Sequence, residues 1–182
     1  MNFVQPIRDG AIVHDIADYL RFKNERNYIM FMTGIYSGLR ISDILRLRIS
    51  DVKNRQNIIL REKKTGKQKT FEINPSLKKA LIDYCQDKDP DDYLIKSRQN
   101  YNRPITRSMA YKILQDAAEQ FNIESIGTHT MRKTFGYHFY LQTKDVVTLQ
   151  KIFNHSHPAI TLRYIGIEQQ AINEAIRRFK IF

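Results

Sequence analysis

Residues 57–73 read NIILREKKTGKQKTFEI, and this stretch interrupts an otherwise helical pattern. Asn57 to Glu62 and Gln68 to Ile73 are strand-like runs on either side of Lys64-Thr65-Gly66-Lys67, a turn signal. The spacing predicts a small antiparallel hairpin with a basic tip. On its N-terminal side, Ile12 to Phe22 carries Ile12, Ile16, Ala17 and Leu20 at helical spacing. Asn27 to Tyr36 reads as a more buried helix that stops at Gly38, and Ser42 as the N-cap of a short helix reaching Leu47.

Helical periodicity returns beyond the hairpin. After Pro75-Ser76, Leu77, Ala80, Leu81 and Tyr84 recur at steps of three and four until the acidic loop Asp87 to Asp92. Thr106 is expected to cap a helix from Arg107 to Phe121, with Met109, Ile113, Leu114 and Ala117 inward. Further helices are expected at Thr130 to Leu141, Val146 to Phe153, Ala159 to Tyr164 and Gln169 to Phe179. The fold class is therefore mainly α with a small antiparallel β-sheet at an edge.

The chain has 182 residues and 42% hydrophobic content, enough for one compact core and too little for two ordinary domains. There are no internal repeats or Gly/Ser linkers. Thirty Lys and Arg against 19 Asp and Glu leave a net charge of +11, which favours a polyanionic partner. The charge is uneven: ten Lys/Arg and three acids lie between Arg40 and Lys69, while Asp83 to Asp92 holds five acids and one Lys. Many of the cations sit on the expected hairpin rather than on one stripe of an amphipathic helix, so double-stranded DNA is favoured over a membrane surface. No apolar run approaches a membrane span, and the start Met1 to Ala11 lacks a signal pattern. These features point to a soluble, cytoplasmic protein. The only cysteine, Cys85, reads as a small hydrophobe on a helix, which excludes an internal disulfide and a Cys-rich zinc site.

His129-Thr130-Met131-Arg132 places a His and an Arg three apart, on one face of a helix, where both can address one anion. Thr128 is a candidate N-cap there, so the helix N-terminus would add amide donors and its positive dipole end. Alone, this spacing is common by chance. Its weight comes from three other segments in fixed order.

The run Thr33 to Leu45, TGIYSGLRISDIL, resembles the first arginine box of the tyrosine recombinases, the phage-integrase family. His129 to Arg132 resembles the second box. Asn154 to Tyr164, NHSHPAITLRY, resembles the last, in which a His lies nine residues before the nucleophilic Tyr. The turn Lys64 to Lys67 falls where that family carries its catalytic lysine. One departure is Phe153-Asn154 where the family has Leu-Gly; Asn tolerates the left-handed conformation, so the turn is expected to survive.

The resemblance implies a tyrosine-recombinase catalytic-domain fold and a site-specific recombinase that cleaves and rejoins DNA through a 3′-phosphotyrosine. Arg40 and Arg132 would clamp the nonbridging oxygens, a role suited to the planar guanidinium fork. Asp43 would orient Arg40. Tyr164 would attack phosphorus, with His129 and the arginines activating a phenol whose ordinary pKa is about 10. His155 would donate to the phosphate, and Lys64 would protonate the leaving 5′-oxygen. Lys63, Lys67 and Lys69 read as DNA contacts. The pair His155-His157 suggests a metal only weakly, and neither a metal nor any cofactor is needed, because the phosphotyrosine conserves the energy of the broken bond. The resemblance also implies that residues 1–182 form a single catalytic domain without the N-terminal core-binding domain of longer members. That omission leaves open an alternative, a DNA-binding accessory protein with this fold but no recombination of its own; a type IB topoisomerase shares the chemistry. Finally, Ile172, Ala175, Ile176, Phe179 and Phe182 form an apolar stripe on the last helix. Two readings stay open for it: docking on a neighbouring protomer, giving a homo-oligomer on DNA, or folding back onto its own core.

Overall fold

The computed structural model describes residues 4–61, 63–99, 101–124 and 126–181. Two helices at the N-terminus are joined by one residue. In α1 (Gly10–Lys23), Ile16, Ala17 and Leu20 face inward, and Asn24 ends it by donating its N–H to the Leu20 carbonyl at 2.8 Å. The same Asn24 starts α2 (Glu25–Ser37), its side chain accepting from the Arg26 N–H at 3.0 Å. Because Ile29 to Gly34 are all buried, α2 is the central helix of the domain. It ends as expected at Gly38, whose φ of 63° is the left-handed conformation.

The short helix that follows is α3 (Ile41–Ile44), capped by Arg40 rather than Ser42 and shorter than expected. Arg40 keeps an extended backbone, so the helix begins one residue after it and Ser42 falls inside the first turn. A 3-10 turn at Ile49–Asp51 leads to β1 (Asn57–Arg61), which pairs antiparallel with β2 (Gln68–Glu72) in the register Asn57 to Glu72 and Arg61 to Gln68. Glu62, expected at the end of the first strand, lies outside the described residues. Ile58 is buried from this ribbon, while Ile59 and Arg61 face out.

Asn74 and Pro75 start α4 (Pro75–Cys85), which buries Leu77, Ala80, Leu81, Tyr84 and Cys85. The Cys85 thiol, pushed up to about 11 chiefly by burial, behaves as the expected small hydrophobe. Thr106 caps α5 (Arg107–Gln120), its hydroxyl accepting from the Met109 N–H at 3.1 Å. Met109 itself is 44% exposed, and Ala110 takes the inward position instead. Ala110 lies three, four and seven residues from Ile113, Leu114 and Ala117, which is the spacing of one helical stripe; Met109 sits 100° off it.

The chain ends in α6 (Thr130–Thr143), α7 (Val146–Phe153), α8 (Pro158–Tyr164) and α9 (Ile167–Arg178). Among the described residues the buried apolar side chains fall into two clusters. The large one runs from α1 to Met131 at the start of α6. The small one has Tyr137, Leu149, Phe153 and Ile165 at its centre, with Tyr164 packed against it. Among the described residues no helix is long and apolar enough to cross a membrane.

Candidate functional site

The site is assembled where α2, α6, α7 and α8 converge. Arg132 is 2% exposed and donates to two main-chain carbonyls, Gly38 O and Phe153 O, the latter at 2.9 Å. Gly38 is the C-cap of α2 and Phe153 the last residue of α7, so two negative helix ends converge on one guanidinium. Both helices end in a left-handed residue, Gly38 with φ 63° and Asn154 with φ 55°. Each turns the chain away and leaves its last carbonyls aimed at Arg132. Asn154 thus supplies the turn expected of a Gly. A Cβ on Gly38 would collide with the Phe135 ring, so this position is closed to side chains by packing as well as by φ. The Phe153 ring lies under the guanidinium, 4.2 Å from Cζ, and completes a dry seat for the charge.

The H-x-x-R spacing does bring both side chains to one place. His129 Nδ1 is 3.3 Å from the Tyr164 hydroxyl, and the Arg132 guanidinium lies close enough to favour the ionised phenol. Thr128, however, does not cap α6. The Thr130 hydroxyl turns back to accept the Gly127 N–H at 3.0 Å, and His129 occupies the cap position without a capping bond from its side chain. The imidazole is therefore left to face Tyr164.

Burial pushes the Tyr164 phenol above its ordinary pKa, opposed by Arg132 and Arg40. The resting phenol is protonated at neutral pH and requires a base. Burial, with Arg107, Arg132, Lys133 and Arg40 nearby, holds His129 below its ordinary value, so at neutral pH it is an uncharged imidazole able to accept that proton. His155 is driven further, down to about 4, by burial and by Arg132, Arg40, Lys69 and Lys64. His155 Nδ1 lies 3.0 Å from Thr161 Oγ1, and its ring meets Tyr164 and Phe153 edge-on at 5.3 and 5.4 Å. His157 caps α8, accepting from the Ala159 N–H at 3.2 Å, and among the described residues no group of three His, Cys, Asp or Glu could hold a metal ion.

Arg40 lines a groove of about 720 Å³ together with Lys63, Lys64, Arg107, Thr128 and His129. Asp43, 2% exposed, accepts the Lys63 main-chain N–H at 2.9 Å on Oδ1, while Oδ2 has no hydrogen-bond partner among the described residues. It ties the base of the hairpin turn to α3, and makes no bond to Arg40. Beyond the turn Lys67 reaches Asn154 at 3.4 Å, and Lys69 on β2 reaches the Ile152 carbonyl at 2.5 Å. Lys64 is exposed on the turn between these anchors.

Sequence reasoning passed over Lys133 and Thr161. Lys133 is 8% exposed, donates to the Val4 carbonyl at 2.8 Å and holds its ammonium 5.0 Å from the centre of the Tyr164 ring. No periodicity marks it, since it follows Arg132 directly and its partner lies 129 residues away. Thr161 is fully buried one turn before Tyr164, where a Thr on a short helix carries no signal of its own.

The chain is similar to the probable integrase/recombinase YoeC of Bacillus subtilis (strain 168), 47% identical over 179 residues that cover 98% of each chain. Among solved structures, XerA recombinase superposes with a TM-score of 0.76 at 22% identity, covering 97% of this chain and 66% of that one. A lambda integrase dimer bound to a COC′ core site superposes with a TM-score of 0.68 at 15% identity over 89% of this chain and 60% of that one. The fold is thus that of the tyrosine recombinases, on a chain spanning about half to two thirds of the solved ones. With the model of the Phage integrase family matching residues 11–171, a span that holds Arg40, His129, Arg132, His155 and Tyr164, this chain belongs to the phage integrase family.

Proposed function

We propose that the protein is a site-specific DNA recombinase of the tyrosine type, acting on double-stranded DNA through a 3′-phosphotyrosine at Tyr164. One observation carries this reading: the Tyr164 hydroxyl stands 3.3 Å from the neutral His129, under the influence of the buried Arg132 and beside a cationic groove. In the first step the Tyr164 oxygen attacks phosphorus and its proton passes to His129 Nδ1. Arg40, Arg132 and His155 take the nonbridging oxygens, whose charge grows in the crowded transition state. The phosphorus–O5′ bond breaks as Lys64 delivers a proton to the leaving oxygen. Resealing runs the same transfers backwards, from a DNA 5′-hydroxyl. Asp43 acts on this chemistry by fixing the hairpin at Lys63, and Lys63, Lys67 and Lys69 add backbone contacts whose strength falls with salt.

The same reading extends to assembly. No residue of α9 is buried: Ile172, Ile176 and Phe179 are 47, 67 and 72% exposed, and Phe182 lies outside the described residues. A stripe left open by its own core fits docking on a second copy of this chain on DNA.

The test is a nicked duplex that loses its 5′-hydroxyl fragment on cleavage and so traps the covalent complex, presented as a sequence-randomised pool. Wild type is expected to give an adduct stable to denaturant, and Tyr164→Phe none, with duplex binding retained because one oxygen is removed. An adduct from the Phe variant would exclude Tyr164, and binding to no duplex would remove the DNA reading.

A further inference from the structure

We propose that Thr161 is a positioning residue whose hydroxyl fixes His155 as the tautomer protonated on Nε2, leaving that nitrogen to donate a hydrogen bond to a phosphate oxygen. Thr161 has no exposed surface, and its hydroxyl makes a single hydrogen bond among the described residues, the 3.0 Å contact with His155 Nδ1. A hydroxyl has one proton, and sealed from water it must give that proton to an acceptor. His155 Nδ1 is the acceptor within reach. Were Nδ1 to carry the ring proton instead, the Thr161 hydroxyl would receive a bond and its own proton would point at nothing. The geometry therefore selects Thr161 as donor, Nδ1 as acceptor and Nε2 as the protonated nitrogen.

The ring has no freedom to answer in another way. Its main chain is held on both sides by Gln150, whose carbonyl accepts the His155 N–H at 3.0 Å and whose side-chain amide donates to the His155 carbonyl at 3.0 Å. Phe153 and Tyr164 flank the imidazole at 5.4 and 5.3 Å. The doubly protonated ring, which would donate from both nitrogens, is disfavoured by burial and by the cations Arg132, Arg40, Lys69 and Lys64 around it. With a single ring proton, its location decides everything. On Nε2 it meets a phosphate oxygen with a donor; on Nδ1 it would present the anion with a lone pair.

The catalytic consequence rests on the phosphoryl-transfer reading above, whereas the tautomer itself does not, and two measurements keep them apart. The first is a long-range proton–nitrogen correlation spectrum of uniformly ¹⁵N-labelled protein at pH 7, with the His155 signals assigned by their absence in His155→Gln. Wild type and Thr161→Ser are expected to show protonated Nε2, and the isosteric Thr161→Val to lose that preference. The second is the rate of adduct formation on the trapping duplex, expected to fall roughly 10- to 100-fold in Thr161→Val, the range known for losing the partner that orients a metal-bound imidazole and carried over here to an imidazole that holds a phosphate, and to recover in Thr161→Ser. A wild-type ring protonated on Nδ1 overturns the proposal without reference to any variant's folding. So does a Val variant that keeps the Nε2 tautomer, or one that loses it yet cleaves at the wild-type rate. If wild type forms no adduct at all, the recombinase reading fails while the spectrum still decides the tautomer.

Discussion

Two neutral histidines and two arginines surround the phenol of Tyr164, and their division of labour follows from which of them can hold a proton. His129 stands with Nδ1 3.3 Å from the phenol oxygen, whereas His155 is kept uncharged with Nδ1 turned to Thr161. The depressed His155 has a consequence for stability. In the unfolded chain this imidazole takes up a proton as pH falls through 6.5, its ordinary value, while in the folded protein it resists protonation until about 4. Between those values the unfolded state binds more protons, so stability is intact above pH 6.5 and declines as pH drops toward 4. His155→Gln removes that proton uptake. Its unfolding free energy, followed by urea titration at pH 7 and pH 5, is expected to fall less over this interval than that of wild type. Identical losses in the two proteins would mean that His155 is not depressed in the fold. Of these residues, Arg40, His129, Arg132, His155 and Tyr164 could be singled out as candidates because they stand in short motifs that follow one another in a fixed order. Lys133 and Thr161 were not, since a buried polar residue declares itself only through its partner, and Lys133 finds that partner 129 residues away.

At the level of elements, turn chemistry was the most legible layer. Thr106 caps α5 and Asn154 ends α7 in the left-handed region, both as their residue types dictate. Ser42, Thr128 and Met109 misled for one reason: each lies one or two residues from the position that takes the role, and neighbouring packing made the choice. Packing also explains Gly136 in the middle of α6. A Cβ there would stand 2.7 Å from Phe153 and from Ile165, both fully buried behind Tyr164. Helix propensity alone favours Ala over Gly by about 1 kcal/mol, but overpacking a tight core costs roughly 1–3 kcal/mol. Gly136→Ala is accordingly expected to lower stability in chemical denaturation and to slow adduct formation; a gain in stability would show that α7 and α8 can move away freely. For α9, truncation after Gln170 tests its docking. The shortened chain is expected to keep its circular dichroism and melting cooperativity but to lose multimers on DNA in sedimentation, whereas a truncated chain that unfolds would show that α9 completes its own core.

On the scale of the whole molecule, the excess of 30 basic over 19 acidic residues supplies attraction to a polyanion without specifying where it binds. The candidate site is built instead on the convergence of helix ends on Arg132, which composition does not record and which periodicity cannot see, because it joins residues 38, 132 and 153. What periodicity also leaves out is that the buried apolar residues divide in two. The larger cluster holds α1 to α5 with the start of α6, and the smaller rests on Tyr137, Leu149, Phe153 and Ile165. Tyr164 packs on the smaller, so it is anchored by far fewer buried residues than α2. The sites of opening should differ accordingly. In deuterium exchange of the free protein, amides of α7 and α8 are expected to exchange through local openings well below the global unfolding free energy, while those of α2 exchange only when the whole chain unfolds. Addition of duplex DNA should slow the first group selectively, leaving Tyr164 on elements of marginal protection until a bound duplex supplies the missing contacts.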